Sequence, residues 1–498
     1  MGKLTDKVAK GVFWVMLEKC GVQFVHFFVA LVLARLLTPN DYGTVALLTV
    51  FISISDLLLD CGIGSALVRK KDATEADYNT VFYLNSLIAF VLYVVLFFLA
   101  PAVERFYGIS GLGVMMRVLA LKVLFQGLSA IQSAVLRKRM LFKLSFRITW
   151  SRVIVSAVIG IALAFAGYGP WALVWSSTIG ALVGMIARIV VIGWRPSPVF
   201  SLASARSLFS FGWKMAAAHA LSTLFTNIVS LSIGKIYSRA DLAFMQKGGH
   251  FPKLLMDLVY ISLGHAAFPA MAQIQDDVPR LRRAMRRMIQ VSTFIVFPMM
   301  VGCSVLAEPL MLVLFGERWL PAAPFVRLTC LAAAFRPFDS VNLNALTARG
   351  RSDVFLKLMV IRKLICLLIL ALTIHCGVWT YCLFAAVFSG PVGIFINAFP
   401  NRRHLGYTVP MQIRDVLPSL LMSGVMGGAI LAVSLLPVRA EFLLVPQIVL
   451  GAVLYVALAV AVRYEPAGEI LGVASSVLKR RLPRCSAALE RLRERTMG

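Results

Sequence analysis

Four sets of polar residues recur at helical spacing in an otherwise apolar chain. Lys19, Gln23 and His26 stand at i, i+4, i+7, and Lys122, Gln126, Ser129 and Ser133 at i, i+4, i+7, i+11. His219, Thr223, Thr226 and Ser230 form a third series, and Arg336, Asp339, Ser340, Asn344 and Thr347 a fourth. Such spacings place side chains on one face of an α-helix. Cations buried on these faces need water, a partner or an anionic ligand, and polar faces from both halves suggest a hydrated central cavity with cationic walls. The candidate binding set is therefore Lys122, Arg336, Arg152, Lys19, Gln23, Gln126 and Asn344. Four acids, Asp56, Glu18, Asp339 and Asp257, are candidates to carry a proton or sodium, or to serve as structural counter-charges.

Blander roles compete for several of these positions. Arg35, Arg117 and Arg327 lie near the ends of apolar segments and can reach headgroups along their aliphatic stems. Arg336 and Asp339, at i, i+3, can neutralise each other. Glu18 and Lys19 can pair with neighbouring helices, and Asp60, in DCGIG, can cap a helix-ending turn. Lys122 has the least excuse for its place in an apolar segment, because a charge at a bilayer centre costs about 2.5–3.5 kcal/mol.

Catalytic signatures are missing. The sequence contains no Walker A motif, no H-E-x-x-H and no G-x-S-x-G, and its six histidines are scattered. Eight cysteines form no C-x-x-C pair, so neither a metal nor a cofactor is expected. Cys376 and Cys382 flank a short loop and can pair if it faces an oxidising compartment.

The elements that must carry these faces are transmembrane helices. Of 498 residues, 59% are hydrophobic and 15% charged, with a mean hydropathy of +0.83. Apolar segments of about 20 residues, the length that crosses a hydrocarbon core, fall near 12–37, 42–63, 81–101, 112–134, 148–168, 170–192 and 212–234. Seven more fall near 251–270, 288–313, 321–346, 358–376, 377–397, 413–436 and 441–463. The expected fold is an all-α polytopic membrane protein of about fourteen transmembrane helices. Net charge is +27, and 36 of the 50 basic residues gather on the side of the N-terminus. The positive-inside rule then puts both termini in the cytoplasm. Charge that alternates from loop to loop in this way is an orientation signal and gives no groove for nucleic acid. The N-terminal run lacks a signal-peptide cleavage site, and the basic tail from Ser476 reads as an amphipathic surface helix.

An internal repeat is visible. Trp14 precedes Asp41 by 27 positions, and Trp213 precedes Asp241 by 28, each pair enclosing an apolar segment and a basic residue. Two six-helix lobes, 1–200 and 201–400, are expected, followed by a helix pair at 401–464 and a basic cytoplasmic tail at 465–498.

Four stretches carry a family resemblance: LARLLTPNDYG at 33–43, LLLDCGIGSALVRKK at 57–71, FPAMAQIQDD at 268–277 and LFGERW at 314–319. Together they resemble the Wzx-type polysaccharide flippases of the multidrug/oligosaccharidyl-lipid/polysaccharide exporter superfamily, especially exporters of colanic and teichuronic acid precursors. That resemblance implies a V-shaped cavity between two lobes in a bacterial cytoplasmic membrane. It also implies movement of undecaprenyl-pyrophosphate-linked oligosaccharide from the cytoplasmic to the outer leaflet. The candidate partners are that lipid-linked glycan, membrane lipids, and a polysaccharide polymerase with its export machinery. Two rivals stand beside it. A multidrug or cation antiporter of the same superfamily predicts an acid-dominated cavity, whereas seven cations face five acids here. A membrane polymerase or acyltransferase would want larger external loops than the roughly 16 residues around 235–250.

Overall fold

A computed structural model describes residues 2–59, 64, 67, 70, 72–206, 223, 225, 227–478 and 490, with side chains for all of these except 2–16, 19, 20, 258–270, 352, 404, 440, 471, 473, 474 and 476–478. The described residues are helical with short turns and contain no strand. In chain order the first unit holds α1 (Gly2–Leu36), α2 (Pro39–Leu59), α3 (Glu75–Tyr107), α4 (Leu112–Leu128), α5 (Ala130–Lys138), α6 (Phe142–Phe165) and α7 (Pro170–Ile192). A short apolar helix, α8 (Asn227–Ile236), follows. Then come α9 (Arg239–Gln273), α10 (Val278–Val305), α11 (Ala307–Phe315), α12 (Ala323–Ala334), α13 (Arg336–Ala348), α14 (Ser352–Thr373), α15 (Val378–Val387), α16 (Gly393–Leu405), α17 (Val409–Ser434), α18 (Ala440–Ala461) and α19 (Glu465–Leu478).

In their described parts the predicted apolar segments coincide with these helices in order. Among the described residues eight helical segments can cross a membrane by length and composition, α15 with α16 counting as one, and α4 with α5, bent by 43°, makes a ninth. α1 and α9 are described only in part, α12 and α13 are each shorter than a span, and α14 carries Lys357, Arg362 and Lys363; these helices hold Glu18, Asp257, Arg336 and Arg362 among others. Other helices turn large apolar side chains outward: Phe98 is 75% exposed and Phe165 71%. Such exposure carries no cost where the surrounding medium is hydrocarbon.

Contacts divide the chain into two compact units, Met1–Ala243 and Phe244–Gly498. The division falls within α9, after α8 has packed on α2. Ser53 and Asn227 exchange hydrogen bonds at 2.9 and 3.2 Å, and Arg239 donates to Thr44 Oγ1 at 3.2 Å. In the first unit, Leu48, Ile52, Leu96, Met116, Leu119 and Val123 form a core shared by α2, α3 and α4.

The second unit centres on α10, which packs against α12 and α17. It also buries an amide network: Asn342 Nδ2 donates to Gln412 Oε1 at 2.9 Å, Gln412 Nε2 returns a bond at 3.0 Å, and Asn401 donates to Asn342 Oδ1 at 2.7 Å. Tyr407, in the turn before α17, donates to Asp415 at 2.7 Å. Burial, with Asp415 beside it, pushes that phenol well above its usual value and keeps the donor proton in place.

The internal repeat has a structural counterpart in its caps. Thr38 and Asp41 cap each other, with Thr38 Oγ1 donating to Asp41 at 2.7 Å. Ser238 and Asp241 do the same at 2.6 Å. The fourth predicted segment of each half is also broken, at Ser129 and at Phe335. At the first break Ser129 Oγ bonds back to the Phe125 carbonyl at 2.9 Å, a geometry that bends helices. The N-terminal Trp14, Trp213, the His219 and Thr226 positions of the third polar series, Asp60 and most of the basic tail lie outside the described residues or side chains.

Candidate functional site

Five helices of the first unit enclose a cavity of about 310 Å³. His26 enters from α1, Tyr42 from α2, Lys122 from α4, Arg152 and Ser156 from α6, and Ser176 and Ser177 from α7. Close approach of α6 and α7 builds its wall. Ser156 Oγ donates to the Ser176 carbonyl at 3.0 Å, and Ser176 Oγ to the Ser156 carbonyl at 2.8 Å. Glycines make room for this crossing: a Cβ at Gly160 would meet Ser176 Oγ at 2.9 Å, and one at Gly180 would meet Ser156 Cβ at 3.0 Å. Small residues with hydroxyls are the usual means of bringing helices together in a membrane.

The charges in the cavity are under-compensated. Lys122 Nζ lies 3.7 Å from Asp56 Oδ2, beyond the 2.7–2.9 Å or so of a charge-assisted hydrogen bond. Asp56 Oδ1 is buried without a hydrogen-bond partner among the described residues. Arg152 has neither hydrogen bond nor ion pair among the described residues, and its stem lies over Gly184, where a Cβ would be 3.0 Å from Arg152 Cδ. Lys122 and Arg152 bring two cations to one cavity, with Asp56 beside the first at 3.7 Å and Glu18 within Coulombic range of the second, an arrangement that can accept an anion.

Other cations in apolar segments are engaged structurally. Arg117 donates to the Phe97 carbonyl and lies 4.3 Å from the centre of its ring. Arg327 pairs with Glu308 at 2.7 Å. In the second unit Asp339 pairs with Arg362 at 2.9 Å and accepts from Asn397. The alternative in which Arg336 and Asp339 neutralise each other is not seen as an ion pair: Arg336 is exposed at the head of α13 and makes none among the described residues. The i, i+3 register sets two Cβ atoms on one face, but a better-aimed guanidinium on α14 takes the carboxylate.

Of the expected binding residues, Lys122 and Arg152 meet in the cavity. Gln23 and Gln126 are half-buried on α1 and α4 and do not line it. Asn344 lies 3.5 Å from Ser340 along its own helix. Asp257 is exposed on α9, and the Lys19 side chain lies outside those described. Glu18 stands in a separate pocket, where it accepts from Thr149 at 2.8 Å. Cys376 and Cys382 are both free thiols. Sequence reasoning missed the face of α6 itself. Ser145, Thr149, Arg152 and Ser156 follow the same i, i+4, i+7, i+11 spacing as the Lys122 series and could have been found by it.

A second cavity, of about 490 Å³ in the second unit, is lined almost wholly by apolar side chains such as Phe251, Phe294, Met299, Met426, Ile448 and Val456.

Comparison with known proteins now adds to this geometry. The family model described as "Polysaccharide biosynthesis protein" matches residues 32–324. The chain belongs to that family. Among relatives of this polysaccharide biosynthesis protein, the succinoglycan biosynthesis transport protein ExoT of Rhizobium meliloti is 28% identical over 70% of this chain and 70% of its own. The teichuronic acid biosynthesis protein TuaB of Bacillus subtilis is 23% identical over 95% of this chain and 99% of its own. The lipopolysaccharide biosynthesis protein WzxC of Escherichia coli is 24% identical over 72% and 73%. Among solved structures, the lipid II flippase MurJ in an inward closed conformation superposes with a TM-score of 0.74 at 16% identity, covering 90% of this chain and 98% of that one. An inward-facing multidrug resistance transporter of the MATE family gives 0.56 at 13% identity, over 82% and 95%. This family member is therefore an all-α, multi-pass membrane protein with the fold of MurJ and the MATE transporters.

Proposed function

We propose that this polysaccharide biosynthesis protein is a flippase. It carries an oligosaccharide linked to undecaprenyl pyrophosphate from the cytoplasmic to the outer leaflet of a bacterial cytoplasmic membrane by alternating access. The observation that carries this reading is the cavity lined by both Lys122 and Arg152, neither of which makes a close ion pair among the described residues. A pyrophosphate satisfies both cations, while His26, Tyr42 and the serines offer partners to sugar hydroxyls. The transport and biosynthesis names of ExoT, TuaB and WzxC, and the MurJ-like fold, support it. In the second unit Arg336 and Asn344 remain candidates for substrate contact, and the apolar cavity suits hydrocarbon. On this reading both termini are cytoplasmic, the chain divides into two six-helix lobes with a terminal helix pair, and a polymerase receives the product.

The test is reconstitution of the purified chain in liposomes containing a labelled undecaprenyl-pyrophosphate oligosaccharide. Protein-dependent transfer to the opposite leaflet is expected, and its response to proton or sodium gradients identifies the coupling ion. No transfer, with gradient-driven efflux of a cationic dye instead, would assign the chain to drug antiport.

Gly184→Val gives a sharper check on Arg152. The added methyl groups occupy the space of the arginine stem and swing the guanidinium out of the cavity. Loss of one charge-assisted contact, about 1.5 kcal/mol, corresponds to roughly tenfold slower transfer. Unchanged transfer by a normally folded variant would remove Arg152 from the site.

A further inference from the structure

The first unit holds a second polar pocket, of about 280 Å³. Its polar walls are Glu18 from α1, Ser133 and Arg137 from α5, Ser145 and Thr149 from α6, and Arg188 from α7. By charge counting, Arg137 and Arg188 are loop residues that report orientation. In the structure both are helical and both face this pocket.

Their bonding leaves them short of negative charge. Arg188 Nη1 donates to Ser129 Oγ at 3.0 Å, which leaves the other N–H groups of its guanidinium for the pocket. Arg137 approaches the backbone at Gly64, where a Cβ would lie 3.3 Å from its Nη2. Glu18 accepts from Thr149, and neither arginine has an ion pair among the described residues. Arg188 lies within Coulombic range of both Arg137 and Arg152. Two guanidiniums that repel each other across a polar pocket are satisfied by an oxyanion that takes both forks.

The pocket is also in line with the Lys122 cavity. Thr149 precedes Arg152 by three residues on α6. On α7, Arg188 follows Gly184, the seat of the Arg152 stem, by four residues, about 6 Å of helix rise. The two sites thus lie about one turn apart on the same helix faces.

We propose that Arg137 and Arg188 form a second phosphate station, which holds a phosphate-bearing headgroup one step before it reaches Lys122 and Arg152. This rests on the transport reading above. The anion is the pyrophosphate of the lipid-linked substrate or the phosphate of a membrane lipid, which share this chemistry.

Calorimetric titration of the full chain in detergent with inorganic pyrophosphate, at low salt, tests it. Two ions per chain are expected. R137Q/R188Q removes one and leaves the other within about twofold in affinity, while K122Q/R152Q removes the other; the site that survives in each variant certifies its fold. Two sites retained by R137Q/R188Q would overturn the second station. A wild-type stoichiometry of one, abolished by K122Q/R152Q, would overturn it as well while leaving the transport reading intact. Two sites retained by K122Q/R152Q would instead count against the transport reading. Repeating the titration in phosphatidylcholine nanodiscs, with and without phosphatidylglycerol, separates the sources. Persistence of the Arg137/Arg188 site assigns it to substrate pyrophosphate, and displacement assigns it to lipid headgroups.

Discussion

Replacing Lys122 and Arg152 together by glutamine reduces transfer of lipid-linked oligosaccharide at least 100-fold while leaving the fold intact. Both side chains point into one cavity, and neither is tied by a short ion pair: Lys122 stands 3.7 Å from Asp56, and Arg152 lies over a glycine. Each charge-assisted contact to a pyrophosphate contributes about 1.5–3 kcal/mol, so losing two costs on the order of 3–6 kcal/mol of binding. Asp56 loses its cation partner, but that pair is long at 3.7 Å and two crowded cations are removed at once, so the stability loss is smaller than for a close pair. The control is Arg327→Gln, which cuts a 2.7 Å pair with Glu308 on an exposed face and leaves transfer unchanged. Liposome transfer assays on the three proteins, normalised to reconstituted protein, give the answer. Wild-type rates in K122Q/R152Q would remove the cavity from the mechanism.

Gly43→Ala destabilises the first unit by about 3 kcal/mol or more, at the upper end of what overpacking costs. An alanine Cβ at this position would lie 1.9 Å from the carbonyl oxygen of Arg239. Backbone meets backbone there, so no rotamer change relieves the clash, and α2 must separate from the turn that leads into α9. Separation also strains the Ser53–Asn227 exchange and the seat of Gly234, where a Cβ would lie 2.2 Å from Leu47 Cδ2. Gly424→Ala is the matched control: no atom stands within 4 Å of its added carbon, and alanine is the better helix former by up to about 1 kcal/mol. Thermal unfolding in detergent should show a large fall in Tm for the first variant and none for the second. Equal melting temperatures would mean that α2 and the Arg239 turn do not meet this closely.

Period and composition were enough to read the helical architecture. Hydrocarbon admits only helices or closed barrels, since backbone groups must be satisfied within the span. An apolar run of about 20 residues therefore announces its own structure. The turns that hold Asp41 and Asp241 are built locally: Thr38 with Asp41, and Ser238 with Asp241, are caps whose bonding lies within four residues. Lys122 was legible because an interior cation has to be explained by a partner, water or a ligand.

Partner choice was not legible. Asp339 and Arg336 share a helix face, yet Arg362 on the neighbouring helix holds the carboxylate at 2.9 Å. Arg137 and Arg188 look like loop charges until α5 and α7 converge on one pocket. Chain order and local spacing settled where the helices run and which faces are polar, because those properties depend on a few neighbouring residues. Tertiary structure alone decided which cations stay unpaired and meet in a cavity. An ion pair depends on side-chain aim to within an ångström, and residues more than a hundred positions apart, such as Gly43 and Arg239 or Glu18 and Thr149, set that aim.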